Sequence, residues 1–321
     1  MVKLATPEQA AQKKATRAAL GVTLAELAAE GLPVVAVDAD LTGSTTTKKL
    51  ADAGFAERLF NCGIAEQNMI DVAAGLALTG HVAFTGSFAV FGTGRAYDQI
   101  RNTVCYSGLD VKIAPTHAGV SVGPDGGSHQ MLEDVSLMRG LPGMRVLVPA
   151  DYAAARAAIR LAAATPGPVY VRMGRASVPC VYADDVELEM GRAYVLREGT
   201  DVTIVANGVE IREALLAAEE LAGAGISAEV IDAFCVKPLD ADTILASVAK
   251  TGRVVVAEEH SVIGGLGSAV AELLVARHPA PVAFVGVRDR FGKSGEFEEL
   301  LRYFELDSAA VVEAVKRVLA V

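Results

Sequence analysis

Short β-branched apolar runs alternate with helix-like stretches along nearly the whole chain, which restricts the possible folds more than any other feature. "LPVVAVDAD" (32–40), "HVAFTGSFAVF" (81–91), "VKIAPTHAG" (111–119), "MRVLVPAD" (144–151) and "PVYVRMG" (168–174) read as strands. Between them the spacing predicts helices over 64–79, 92–107, 130–139 and 151–164. Strands that are apolar throughout are buried on both faces, so strands of this kind separated by helices form a mostly parallel sheet. After Gly174 the pattern lapses into a polar stretch, "CVYADDVELEMGRAYVLREGTD". A second alternation follows, with strands "VTIVANG", "SAEVIDAF", "RVVVAEE" and "PVAFVGV" and helices over 210–223, 239–249 and 265–277. The expected fold is α/β in two domains, residues 1–180 and 195–321, joined by a linker at 181–194. Each domain is a mostly parallel sheet with helices on both faces. No low-complexity tract or short-period repeat interrupts the pattern.

Composition narrows the function. The chain is 52% hydrophobic, without Trp, which suits a soluble α/β core of small side chains. A net charge of −10 argues against nucleic acid as the partner. It leaves room for a local basic pocket that takes an anionic substrate. Cys62, Cys105, Cys180 and Cys235 are scattered and form no CxxC pair. Neither a metal site nor a disulfide framework is expected in this chain, and a reducing, cytoplasmic compartment is. The polar N-terminus "MVKLATPEQAAQKKATRAAL" has helical spacing and reads as neither a signal peptide nor a membrane span.

Open parallel sheets bind ligands beyond the carboxyl ends of their strands. In the first domain the polar residues at those ends are Asp38, Asp40, Ser44, Ser87, His117, Asp125, Arg172 and Arg175. The long glycine-rich loop "HAGVSVGPDGGSHQ" carries two histidines and an aspartate, chemistry that is usually functional on such a loop. It lacks the GxxxxGK[ST] pattern of a P-loop. "IGGLGSA" (263–269) reads as close packing, and His260 stands open between a core and a site role. Phe88 and Phe91 at a strand end are either core or the wall of a flat heterocycle site. Glu66 opens the apolar helix of "CGIAEQNM". By itself it reads as a first-turn acid that complements the helix dipole.

"NCGIAEQNMIDVAAGLALTG", "SFAVFGTGRAYDQIRN", "THAGVSVGPDGGSHQ" and "VLVPAD" stand in this order with characteristic gaps. Together they resemble the C-terminal half of transketolase, a thiamine-diphosphate-dependent enzyme, and the resemblance runs from about Ala15 to the end. It implies a pyrimidine-binding domain followed by a transketolase C-terminal domain. It implies that Glu66 hydrogen-bonds N1′ of the cofactor's aminopyrimidine and so favours the tautomer whose N4′ can take the thiazolium C2 proton. By the same resemblance Phe91 stacks on the pyrimidine ring and Phe88 completes the pocket, while Asp40 and Leu41 approach the thiazolium side. A third aromatic is expected three residues after Phe91, where Gly94 stands, with Tyr97 as the nearest substitute. His129 falls beside the donor's carbonyl, Asp125 at a neighbouring hydroxyl and His117 further out. Arg17, Ser44 and Arg175 fall where the family holds the substrate phosphate, which a guanidinium grips with paired charged hydrogen bonds. Arg172 is expected to be structural.

The family's GDG motif with its later Asn pair, which holds the diphosphate and Mg²⁺, does not occur in this sequence. The chain therefore resembles one subunit of a split transketolase. The N-terminal half, with thiamine diphosphate and Mg²⁺ held mainly there, is expected on a separate polypeptide in an α2β2 heterotetramer. The expected reaction is transfer of a two-carbon ketol unit from a ketose phosphate to an aldose phosphate. A β subunit of a 2-oxoacid dehydrogenase E1 component shares the domain order and the glutamate. The "GPDGGSHQ" loop and the Arg/Ser set favour transketolase. A relative making 1-deoxyxylulose 5-phosphate is normally one full-length chain. A non-catalytic scaffold would not need Glu66, His129 and Asp125 together.

Overall fold

A computed structural model describes residues 2–321. Seven strands form the first sheet, in the order Cys235–Lys237, Arg145–Leu147, Val169–Val171, Val111–Ile113, Val82–Gly86, Val34–Asp38, Leu59–Asn61. All neighbours run parallel except the first pair. Val34–Asp38 and Val82–Gly86 are buried at every position, as strands covered on both faces must be. Five strands form the second sheet, in the order Val282–Val287, Val254–Ser261, Val202–Ala206, Ala228–Asp232, Tyr194–Arg197, with the last antiparallel. The fold is thus two mostly parallel α/β sheets. A strand from the second half, Cys235–Lys237, closes the edge of the first sheet. Two large hydrophobic clusters each run through both halves, one of them including Leu24, Phe84, Phe234 and Phe304.

This strand order fixes where a ligand can sit. From Val34–Asp38 the chain crosses to one side to make Leu59–Asn61, then to the other to make Val82–Gly86. The two crossovers diverge, which leaves a crevice at the carboxyl ends of Val34–Asp38 and Val82–Gly86.

Several segments depart from their expected form. The polar N-terminus holds one helical turn, Pro7–Ala10, then the strand Lys13–Ala15, paired antiparallel with Ser177–Pro179, and its longer helix begins only at Ala19–Ala29. The stretch after Gly174 is anchored. Asp151 caps the helix Tyr152–Ala164 and also accepts the Val181 and Tyr182 amides, and the Tyr182 hydroxyl donates to Asp232 at 2.6 Å. The expected helix over 92–107 is irregular, with wide π-type turns at Val90–Arg95 and Ile100–Cys105 flanking Tyr97–Gln99. Gly92 and Gly94 weaken regular helix there. The helix expected over 130–139 is confined to Asp134–Arg139, because Gln130 spends its amide on Val120 and Lys293 and Met131 bridges to Ala118. Among the described residues no helix is long and apolar enough to cross a membrane.

Candidate active site

Two corners build the floor of the crevice. Asp38 ends its strand fully buried and accepts the Leu41 amide at 2.6 Å and the hydroxyls of Thr45 and Thr47 at 2.7 and 2.9 Å. Burial pushes the Asp38 carboxyl up, and these donors oppose it. Gly86 on the neighbouring strand must be glycine, since a Cβ there would lie 2.6 Å from Asp38 Oδ2. The Asn61 side-chain oxygen accepts the amides of Asp40 and Gly63, at 3.1 and 2.9 Å, and so ties the corner after Asp38 to the one before Glu66. Asp40, at φ 65°, and Leu41 form the rim.

Glu66 is the first residue of the helix Glu66–Leu78 and is only 3% exposed. Its carboxylate accepts from Arg95 Nη1 at 2.9 Å, a partner the sequence reading missed. Beside it, Phe88 and Phe91 lie nearly parallel, with centroids 6.2 Å apart and planes 14° from each other. The His117 ring stacks on Phe88 at 3.7 Å, and His129 stands edge-on to Phe91 and Phe88 at 5.5 and 6.1 Å. Among the described residues the buried Ser87 hydroxyl has no partner. A buried carboxylate, two aromatic faces and an orphan hydroxyl suit a flat heterocycle that carries N–H donors. Gly94 leaves Met131 Cε beneath it, and Tyr97 points its hydroxyl at the Leu137 carbonyl, 3.5 Å away.

The antiparallel ribbon of Lys13–Ala15 with Ser177–Pro179 explains the next cluster. Its continuation sets Arg17 beside Arg175, across 158 residues of sequence, with the Arg17 amide on the Gly174 carbonyl. Arg17 Nη1 donates to the backbone carbonyl of Ser44 at 2.7 Å, and Arg175 Nη1 to that of Val122 at 2.9 Å. Burial and the Arg175 charge both disfavour the Arg17 cation, while Asp125 favours it. Two half-buried guanidiniums that repel each other form a seat for an anion. A cavity of about 270 Å³ opens there, lined by Arg17, Ser121, Gly123, Arg175, Glu296 and Glu298. Both glutamates come from the second domain and had no signal in the sequence.

His117 is buried between the two clusters at φ 64°, with Nδ1 2.7 Å from the Thr116 hydroxyl. Burial, then the charges of Arg17 and Arg175, then His129, pull its pKa to about 3. It is therefore a neutral imidazole at working pH. Its ring resonances should not titrate between about pH 8 and 5, against the ordinary midpoint of about 6.5. A midpoint near the ordinary value in NMR titration would contradict this. The depressed pKa means the unfolded chain binds the proton first, so this residue's contribution to stability is present above about pH 6.5 and is lost as pH falls toward 3.

The second domain holds the glycine-rich loop from below. Glu259 Oε1 accepts the Ser121 amide at 2.5 Å, and burial pushes the Glu259 carboxyl up to about 7. Arg172 is buried on Asp134, at 2.7 Å, and on the Glu259 carbonyl, at 2.9 Å, as its expected structural role requires. His260 has both ring nitrogens taken by backbone, Nδ1 by the Ser261 carbonyl and Nε2 by the Ser136 amide. Gly119 lies at φ 78°, and a Cβ on it would fall 2.2 Å from Glu259 Cδ. Gly119→Ala should therefore cost roughly 2–4 kcal/mol in denaturant unfolding. A loss under about 0.5 kcal/mol, as for an ordinary surface change, would contradict the packing of loop on Glu259.

The crevice thus brings the rings of Phe88, Phe91, His117 and His129 together, links Glu66 to Phe91 through Arg95, and sets Arg17, Ser44 and Arg175 at its outer end. Asp125 stays exposed on the loop between them.

Comparison with known proteins agrees with this architecture. Residues 12–181 match the family model for the transketolase pyrimidine-binding domain, and residues 191–311 that for the transketolase C-terminal domain. A relative from Methanocaldococcus jannaschii carries the provisional name transketolase C-terminal section. It is 46% identical over 94% of this chain and 95% of its own length. The 6-deoxy-6-sulfo-D-fructose transketolase subunit SqwH of a Clostridium species is also 46% identical, over 92% of this chain and 91% of its own. A solved structure titled as a split gene transketolase, inactive beta4 tetramer, superposes with a TM-score of 0.88 at 50% identity, covering 96% of this chain and 99% of its own. The chain belongs to the transketolase family, of which it carries the pyrimidine-binding and C-terminal domains.

Proposed function

We propose that this chain is the C-terminal subunit of a two-chain, thiamine-diphosphate-dependent transketolase that moves a two-carbon ketol unit from a ketose phosphate to an aldose phosphate. The observation that carries the reading is the buried carboxylate of Glu66 at a helix entrance, beside the stacked faces of Phe88 and Phe91 in the switch-point crevice. When bound, thiamine diphosphate would supply the carbon nucleophile and electron sink that cleavage beside a ketose carbonyl requires. The chain's own residues do the rest. Glu66 holds a proton between its carboxylate and the aminopyrimidine N1′. Phe88 and Phe91 orient the ring, and Asp40 and Leu41 bound the thiazolium side. His129 donates to the donor's carbonyl oxygen and C1 hydroxyl, and Asp125 accepts from the adjacent hydroxyl. His117, held neutral, shapes the path to Arg17, Ser44 and Arg175, which hold the terminal phosphate.

The diphosphate and Mg²⁺ lie mainly on a separate N-terminal subunit, in a cytoplasmic α2β2 heterotetramer. Two facts support this: this sequence carries no GDG motif, and relatives of the same extent are named as subunits or as a split gene product. The neighbour is described as an inactive beta4 tetramer, which fits a chain that needs its partner. To test the reaction class, the two subunits are mixed with a ketose phosphate, an aldose phosphate and, separately, a 2-oxoacid. Mass spectrometry should show the aldose phosphate gaining two carbons. Decarboxylation of the 2-oxoacid with no such product would instead assign a dehydrogenase β subunit.

A further inference from the structure

Arg95 makes two contacts that define a seat rather than a surface. Its Nη1 donates to Glu66 Oε2 at 2.9 Å, and its Cζ lies 4.5 Å from the Phe91 ring centroid. A planar group bearing N–H donors thus rests on Phe91 and hydrogen-bonds to Glu66. The proposed function gives those same two contacts to the aminopyrimidine, which is also planar and also donates to a carboxylate. If the pyrimidine uses Glu66 Oε2 and the same face of Phe91, it and the guanidinium exclude each other.

The surroundings allow the guanidinium to leave. Arg95 is half exposed while Glu66 is 3% exposed, so the arginine has water on one side and the carboxylate has almost none. Its side chain makes no other hydrogen bond among the described residues. Its backbone ends the wide turn Val90–Arg95, where Gly92 and Gly94 leave no side-chain bulk on either side of Thr93. A buried carboxylate without a partner is costly, and the guanidinium removes that cost at Glu66.

We propose that Arg95 is a placeholder for the aminopyrimidine. In the cofactor-free chain it neutralises Glu66 and covers Phe91, and the cofactor's ring binds by displacing it toward solvent. This inference rests on the proposed function, since it takes Glu66 and Phe91 as the pyrimidine's partners. Displacement lowers apparent affinity by the fraction of time the seat is free. The same factor applies to every ligand that needs the seat, whole cofactor and pyrimidine fragment alike.

The experiment uses the full chain and the free pyrimidine half of thiamine, 4-amino-5-hydroxymethyl-2-methylpyrimidine. This probe has no phosphate and does not need the partner's diphosphate site. Calorimetry should show Arg95→Ala binding it about 10- to 100-fold tighter than the unaltered chain, the gain when a seat free about 1–10% of the time becomes always free. Arg95→Lys, which keeps the charge without the planar fork, should fall between. Equal, weaker or undetectable binding by Arg95→Ala, with its melting temperature retained, overturns the placeholder. Peptide mapping after phenylglyoxal treatment gives a second readout on the two-chain enzyme. Thiamine diphosphate with Mg²⁺ should raise modification of Arg95, and protection would overturn the proposal by making Arg95 part of the pocket wall. Glu66→Ala separates the two levels of the account. If it leaves affinity for the probe unchanged, the site reading fails and this proposal with it. If it weakens binding while Arg95→Ala fails to strengthen it, only the placeholder falls.

Discussion

Replacing Glu66 by Gln in the assembled two-chain enzyme is expected to leave thiamine diphosphate bound while slowing exchange of its C2 proton by several orders of magnitude. The substitution keeps size and hydrogen-bonding capacity at the head of the helix Glu66–Leu78. It removes the acid that can share a proton with N1′. Each factor of ten in exchange corresponds to about 1.4 kcal/mol of barrier, so the missing acid should raise the barrier by several kcal/mol. Quenched-flow exchange in D₂O, followed by NMR of the C2 proton, reads this directly. Glu66 also pairs with Arg95 at 2.9 Å, so thermal melting must accompany the measurement. Unchanged exchange would return Glu66 to the role of a first-turn acid complementing the helix dipole.

Arg175→Ala should lower kcat/KM for a ketose phosphate by roughly ten- to a hundredfold or more, as expected for one charge-assisted contact of about 1.5–3 kcal/mol. Hydroxypyruvate has no terminal phosphate to place in the cavity beside Arg17 and Arg175, so the same variant should process it nearly normally. The ratio between the two donors isolates phosphate recognition from folding. Arg175 also donates to the Val122 carbonyl, within the loop that carries Asp125, so a purely structural effect would lower both rates alike. Equal losses would withdraw the phosphate assignment and reopen the 2-oxoacid dehydrogenase reading, whose substrates carry no phosphate.

The sheets were legible because parallel strands covered on both faces are mostly apolar. Val34–Asp38, Val82–Gly86 and Val202–Ala206 show this in their residues and in their complete burial. Short edge strands bury little and carry little pattern, so Leu59–Asn61 and the antiparallel Tyr194–Arg197 gave no comparable signal. Cys235–Lys237 pairs with Arg145–Leu147 across about ninety residues, a choice made by packing between the two halves. The crevice followed from the rule for carboxyl strand ends. The roles of Glu66, Phe88 and Phe91 came from resemblance to a family. Arg95 was invisible because its two contacts arise only in the folded turn. Glu259 was hidden for a similar reason, since nothing in "AEEHS" says that one of its carboxylates will sit beneath Gly119.

The most direct test of the central claim is ketol transfer by this chain with and without a partner. Each subunit is purified alone and supplied with thiamine diphosphate, Mg²⁺, a ketose phosphate and an aldose phosphate, and then the two are mixed in equal amounts. The account predicts no two-carbon transfer by either chain alone and transfer that saturates near equimolar mixing. Full turnover by this chain alone, free of any second polypeptide, would contradict it.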